Sequence, residues 1–297
     1  MGGHRLHKPG VAGSSPAAAI LTSVLFDEPN GQYHADRDHL STSGLKDFIK
    51  SPSHYKASLD KPSADSEAMA RGRLAHLVLE LGPDAFGERA KVIPAEHLTA
   101  TGLVSTKADT RKWVADQGPD AILLSPSDDA FLEGFLAQFF LNKATSELYE
   151  DIKHRETSIR WQRADGAKLR CRPDAITHGG ICIDYKTTKY LNPLREFWLA
   201  CRDFDYGLQA AFYGEGLEVA GLSDQPMVFI LISTVGDFQV QAVTLPAKFV
   251  ELGKRRMDRG LADFYARTTF NNWQPEGYHQ INELWMPDYC LKEGVSE

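Results

Sequence analysis

The chain has 297 residues, 42% of them hydrophobic and 25% charged, with a formal net charge of -7; this is the balance of a water-soluble globular protein, not of one coated in positive charge for nucleic acid, although a local basic groove stays open. No apolar run approaches the ~20 residues that a membrane helix needs, so no membrane partner is expected. Four cysteines, Cys171, Cys182, Cys201 and Cys290, form no C-x-x-C pair, which excludes zinc-ribbon and dithiol motifs, and they are too few for a disulfide framework; reduced cysteines in a cytoplasmic protein are the expectation.

Residues 1–25 are rich in Gly, Ala, Ser and Pro and read as a disordered arm, with residues 26–297 as a single domain. The apolar stretch "SSPAAAILTSVLF" is too weak for a signal peptide and no small-residue cleavage site follows it. "LSTSGLKDFIKSPSHYKASL" predicts two short helices, the first capped by Ser41 or Ser43 and ended by Pro52. "SEAMARGRLAHLVLEL" predicts a strong helix with an apolar stripe of Ala68, Met69, Leu74, Leu77, Val78 and Leu81. "AKVIPAEHL" and "AILL" read as short strands on either side of a helix over "TKADTRKWVAD". "SPSDDAFLEGFLAQFFLN" opens on a capping signal, Ser125 with Asp128, and its stripe of Phe131, Phe135 and Phe139 belongs in a core.

From about residue 153 the periodicity changes to strands: "ETSIRWQ", "KLRCRPDAIT" and "GICIDYKTT", separated by the turn sequences "ADG" and "THGG". Two helices follow, over "PLREFWLACRD" and "DYGLQAAFYGEGLEVAG". Then come the strands "PMVFILIST" and "FQVQAVTL", a long helix over residues 246–267 and an aromatic, loop-rich tail. The charge run "KRRMDR" at 254–259 sits on that helix and reads as a surface face or subunit contact. The order of elements predicts an α/β fold with a central mixed β-sheet flanked by helices.

Asp174, Asp184 and Lys186 interrupt otherwise apolar strands. A buried charge is costly unless paired or bound to a metal. Asp184 and Lys186 are two apart, hence on one face of a strand. A hairpin through "THGG" sets Asp174 beside Asp184. Adjacent carboxylates repel unless one takes up a proton or a cation neutralises both. A hard divalent ion such as Mg²⁺ or Mn²⁺ prefers such oxygen ligands. A neighbouring lysine can then orient a water or meet the charge that develops on a phosphate. The same spacing also fits a buried Asp–Lys salt bridge, and spacing alone does not separate the two. Gly72 and His76 are four apart on a helix; a mid-helix glycine costs about 1 kcal/mol against alanine and permits close approach of another group. Taken alone, His76 reads more readily as a satisfied core histidine. Gln209 and Tyr213 share one helix face, where a core-facing pair is the ordinary explanation.

In chain order these pieces are G-x-x-x-H, R-P-D, D-Y-K and Q-x-x-x-Y. The set resembles the PD-(D/E)xK nuclease superfamily, in the branch of recombination exonucleases with the RecE-type exonuclease VIII domain, and more distantly λ exonuclease and the RecB nuclease domain. "LSTSGLKDFIKSPSHYKA" is similar to the opening of RecE-like domains, and the resemblance spans roughly residues 33–290. It implies a restriction-endonuclease-like core. It implies His76, Asp174, Asp184 and the carbonyl of Tyr185 as metal ligands, Lys186 as the catalytic lysine, and Gln209 and Tyr213 as supports of site and substrate. Glu156 fits a supporting carboxylate and equally a solvated strand-end charge. Ser43, Lys46, Arg71 and Arg73 are candidate supporting or DNA-contacting residues, with Lys50 and Lys189 as further phosphate contacts. Asp184 stands where many superfamily members carry Glu. Two cysteines lie in the core strands, which excludes the iron–sulfur cluster of cysteine-bearing relatives. The implied activity is Mg²⁺- or Mn²⁺-dependent hydrolysis of phosphodiesters from double-stranded DNA ends, 5′ to 3′, in phage-type homologous recombination. A single-strand annealing protein and a homo-oligomeric ring are the implied partner and assembly. The alternatives are a structure- or site-specific endonuclease on the same core, or a non-catalytic DNA-end-binding subunit.

Overall fold

The structure, a computed structural model, describes residues 20–59, 67–189, 193–275, 277–281 and 283, with the side chains of 67, 68 and 193–196 excepted. The chain begins with strand β1 (Ile20–Leu25), helix α1 (Asn30–Ala35) and a two-residue strand β2 (Leu40–Ser41). Residues 20–25 are therefore part of a sheet, which corrects the expectation of an arm reaching residue 25; residues 1–19 lie outside the described residues. Helices α2 (Thr42–Lys50) and α3 (Pro52–Ser58) follow. Ser41, and not Ser43, caps α2 by accepting the Gly44 N–H at 3.2 Å. Ser51 caps α3, with Pro52 at its first position.

Next come α4 (Glu67–Leu81), α5 (Pro83–Arg89), β3 (Ala90–Val92), α6 (Ala108–Asp116), β4 (Ile122–Leu124), α7 (Pro126–Leu141) and α8 (Lys143–Glu150). In the predicted stripe of α4, Val78 is buried but Met69 is largely exposed, and Ala68 lies outside the described side chains. Ser125 caps α7 through Asp128, as its spacing predicts. The strand-rich part contains β5 (Ile152–Arg155), β6 (Ser158–Gln162), β7 (Lys168–Cys171), β8 (Ala175–Thr177) and β9 (Cys182–Thr188). The described chain closes with α9 (Pro193–Asp203), α10 (Tyr206–Val219), β10 (Val228–Ser233), β11 (Val240–Thr244) and α11 (Ala247–Phe270).

The described strands form two main sheets in place of the single expected one, ordered β1-β6-β7-β2 and β11-β10-β9-β8-β5, and a small parallel pair β3-β4. The five-stranded sheet is mixed, since β9 and β10 run parallel and its other neighbours antiparallel. One long hairpin joins the sheets. Its register is continuous, with Ile159 opposite Cys171 in one sheet and Arg155 opposite Ala175 in the other. Between these pairs the ladder breaks at Glu156, whose φ is +48°, and at Pro173, which has no N–H to donate. The strand candidate "KLRCRPDAIT" is thus divided by the kink into β7 and β8, and "ETSIRWQ" loses its first two residues to it.

Alternation along β9 and β10 sorts side chains to two cores. Ile183, Tyr185, Ile230 and Ile232 pack with Ala75, Val78 and Leu79 of α4 and with Phe131, Phe135 and Phe139 of α7. Cys182, Phe229 and Leu231 face Leu45 and Phe48 of α2, Leu208 and Phe212 of α10, and Met257 and Leu261 of α11. A fully buried Phe or Leu contributes roughly 1.5–3 kcal/mol by its removal from water. Both layers are therefore firmly seated, and each delivers side chains to the same end of β9. Cys171 and Cys182 are buried, as their apolar strands predict; Cys201 is buried too, and Cys290 lies outside the described residues.

Candidate active site

The kinked hairpin sets three carboxylates in a row across three neighbouring strands. Continuous register places Glu156 opposite Asp174, and the Glu156 N–H donates to the Asp174 carbonyl at 3.1 Å. On the other side, the pairing of Ala175 with Ile183 puts Asp174 opposite Asp184. Asp174 is the middle member, and its Oδ2 also accepts the backbone N–H of Tyr185 at 2.7 Å. Glu156 adopts the left-handed conformation without being glycine, a strain of order 1–3 kcal/mol that clusters at functional sites. The strain allows its carboxylate to turn toward Asp174.

His76 closes this group from α4. Gly72, one turn earlier, makes room: a Cβ there would meet Thr187 Oγ1 at 3.2 Å. The close approach of α4 to β9 lets His76 Nε2 reach the Tyr185 carbonyl at 3.0 Å and puts Nδ1 3.5 Å from Asp174 Oδ2. Ligand atoms of His76, Glu156 and Asp174 all lie within 4.8 Å of one another. Burial opposes a charged imidazole, but the Asp174 carboxylate outweighs it and lifts the His76 pKa to about 9. Burial, then the neighbouring Asp174, pushes Glu156 up to about 7 despite its ion pair with Arg172.

Asp184 faces the other core. Its Oδ1 accepts from Gln209 Nε2 at 2.6 Å, and its Oδ2 contacts Lys186 Nζ. Burial works against the Lys186 ammonium, yet Asp184 and then Asp174 hold its pKa above the ordinary value. Gln209 is itself fixed by Lys46, whose Nζ donates to Oε1 at 3.0 Å. Tyr213 touches neither carboxylate. Its hydroxyl donates to the Arg172 carbonyl at 3.4 Å, and the Arg172 Nε bonds both the carbonyl of Glu156 (3.1 Å) and its carboxylate (2.8 Å). Tyr213 therefore acts on the site through the chain just before Pro173 and Asp174.

Residues 41–275 match a family model described as a PDDEXK-like domain of unknown function (DUF3799). The chain belongs to this PDDEXK-like family. Among solved structures it is similar to a crystal structure described as a "putative exonuclease" from Eubacterium rectale, with a TM-score of 0.56 and 13% sequence identity, over 91% of this chain and 99% of that one. At that identity the likeness establishes the fold alone, and the fold is the restriction-endonuclease-like α/β core. No curated protein compared with the chain is similar to it in sequence.

Within this PDDEXK-like core the predicted residues divide into those brought together and those left apart. His76, Asp174, Asp184, the Tyr185 carbonyl, Lys186 and Gln209 converge, and Lys46 joins them. Of the two readings of Glu156, the structure favours the supporting carboxylate: it lies inside the cluster of ligand atoms, whereas Asp184 is outside that cluster and engaged by Lys186 and Gln209. Arg71 pairs with Asp128 at 3.3 Å and lies over the Phe131 ring, so it ties α4 to α7. Ser43, Arg73, Lys50 and Lys189 are exposed. Sequence reasoning missed Arg172 and Tyr206. Arg172 was legible only as part of R-P-D. Tyr206 lies three residues before Gln209 on α10, which puts it on the same face. No helix among the described residues is long and apolar enough to cross a membrane.

The donor set suits a hard divalent cation: the carboxylates of Glu156 and Asp174, a backbone carbonyl and an imidazole, crowded together in a half-buried site. His76, Glu156, Asp174 and the Tyr185 carbonyl are the groups that would hold it, with Asp184 alongside.

Proposed function

We propose that the chain is a metal-dependent DNA nuclease, and specifically an exonuclease that hydrolyses phosphodiesters from duplex ends. The observation that carries this reading is the carboxylate row Glu156–Asp174–Asp184, with His76 beside Asp174 and the half-buried ammonium of Lys186 beside Asp184. A bound Mg²⁺ or Mn²⁺ supplies charge neutralisation at a phosphate and an acidified water. The chain's own groups do the rest. His76, Glu156 and Asp174 offer ligand atoms at close quarters. Gln209 fixes one oxygen of Asp184, so that the other points at Lys186. Lys186, kept protonated by that contact, presents its ammonium where an attacking water or a phosphate oxygen carries developing charge. Arg172, held by Tyr213, positions Glu156.

The finer reading follows from the order of motifs set out above. It is 5′ to 3′ degradation, a ring of identical subunits around DNA, and a single-strand annealing protein as partner in recombination. The test is incubation of purified protein with Mg²⁺ and end-labelled linear duplex, beside closed circular DNA of the same sequence. Mononucleotides released from linear ends, with circles untouched, are expected. Internal cuts in the circles would move the assignment to an endonuclease. Binding without hydrolysis would leave a DNA-end-binding subunit.

A further inference from the structure

Among the described residues of this centre, Lys46 forms no ion pair with the carboxylate row, although the nearby charges of Asp184 and Asp205 act on it. It projects from α2 between Leu45 and Phe48, both buried, so the helix that carries it is fixed on the core. Among the described residues its only hydrogen-bond partner is Gln209 Oε1, a neutral amide oxygen that satisfies one of three ammonium donors. Its Nζ lies 5.3 Å from the centre of the Tyr206 ring, and Lys186 Nζ lies 5.4 Å from the same ring. Two ammonium groups thus converge on one aromatic side chain, while Asp184, in the hydrogen-bond chain Lys46–Gln209–Asp184–Lys186, pairs directly with Lys186 and reaches Lys46 only through Gln209. Burial and the nearby positive charge of Lys186 lower the Lys46 pKa to about 8. A half-buried cation beside a second cation is held at a cost, and an anionic group arriving between them relieves it.

We infer that Lys46 is a substrate-binding residue: together with Lys186, and with Tyr206 as the wall between them, it takes a phosphate group of a nucleic-acid backbone. This rests on the nuclease reading and adds to it a second point of grip, delivered by a helix far along the sequence from the D-Y-K strand. Because Gln209 bonds Lys46 and Asp184 at once, a phosphate that engages Lys46 also bears on the orientation of the catalytic carboxylate. The alternative role is structural, with Lys46 serving only to hold the Gln209 amide.

The experiment measures the affinity of the full chain for a short 5′-labelled duplex by fluorescence anisotropy, with Ca²⁺ in place of Mg²⁺, across a series of salt concentrations. Wild type is compared with Lys46→Met, Lys46→Arg and the exposed control Lys143→Met. The unfolding temperature of each variant is recorded alongside. The expected result is that Lys46→Met binds on the order of tenfold more weakly, with a salt slope shallower by about one phosphate contact. Lys46→Arg, which keeps the charge, restores the slope, and Lys143→Met matches wild type. A Lys46→Met protein with unchanged affinity and slope overturns the inference, whatever its activity. So does a wild type that binds no duplex. Should Lys46→Met fail to fold, the slope of Lys46→Gln decides in the same way. The two readings fail separately. Hydrolysis by wild type with an unchanged slope in Lys46→Met sinks only the Lys46 role. Binding that depends on Lys46 without hydrolysis in Mg²⁺ sinks only the nuclease reading.

Discussion

Asp174 bears on more of the site than any other side chain. It faces Glu156 on one strand and Asp184 on the other, accepts the Tyr185 N–H and lies beside His76. Asp174→Asn keeps the shape and removes the charge. Its divalent-metal isotherm, followed by calorimetry, is expected to weaken by at least about tenfold. An unchanged isotherm would remove Asp174 from the ligand set. Glu156→Gln is expected to weaken metal binding similarly, because its carboxylate belongs to the cluster of ligand atoms. Lys186→Ala is expected to reduce hydrolysis by two orders of magnitude or more, a larger loss than the weakening of DNA binding that removal of one shared phosphate contact brings. Retained turnover would dismiss the lysine from the chemistry. At this scale D-x-K was legible because a spacing of two on a strand determines a shared face. Glu156 was legible only as one of two equal readings, a supporting carboxylate or a solvated strand-end charge, since its placement depends on a positive φ that no glycine or asparagine announces.

The helices matter as carriers of single side chains. Helix α10 brings Gln209 and Tyr213, and it lies flush against α11 because glycines meet at the crossing: a Cβ on Gly253 would fall 2.0 Å from the backbone carbon of Gly207. Gly253→Ala must therefore push the two helices apart. A cost of about 1–3 kcal/mol is expected, seen as an unfolding temperature several degrees lower. Activity should fall at temperatures where the protein is still folded, since Gln209 moves away from Asp184. A variant with wild-type melting and turnover would show that the crossing tolerates the methyl. The Q-x-x-x-Y spacing was readable as one helix face, but the two residues divide their work, Gln209 on Asp184 and Tyr213 on the Arg172 carbonyl. That division depends on how β7 and β9 diverge beneath the helix.

Across the whole molecule, the segment before α2 is strapped to the four-stranded sheet. Arg160 bonds Glu28 (2.7 and 3.1 Å) and Asp36 (2.7 Å), while Arg160, Arg170 and Arg172 surround the Tyr33 ring. Arg170 also donates to the Tyr33 carbonyl. Burial alone would raise both carboxyls, but hydrogen bonds from Arg160 hold Glu28 and Asp36 below the usual carboxylate range. Groups depressed in the folded state stabilise it above the unfolded pKa, near 4, and lose that contribution as pH falls toward the folded value. The unfolding temperature is therefore expected to drop as pH is lowered from about 5, and to drop less steeply in Asp36→Asn, which starts lower at pH 7. Parallel curves for the two proteins would rule the strap out as the acid-sensitive element. None of these partners was visible beforehand, because Glu28 and Asp36 lie more than a hundred residues from Arg160.

The sequence by itself determined the helices with caps and stripes, the strand alternation, the D-Y-K face and the ordered set of motifs, since each follows from local periodicity or spacing. The tertiary structure alone decided that the meander kinks between two sheets, that Glu156 joins His76 and Asp174, that Arg172 links Tyr213 to the site, and that Lys46 approaches Lys186 across Tyr206. The physical reason is that strand register and helix crossings are set by burial of both faces of a sheet, and contacts between charged groups from distant segments exist only once those faces are closed.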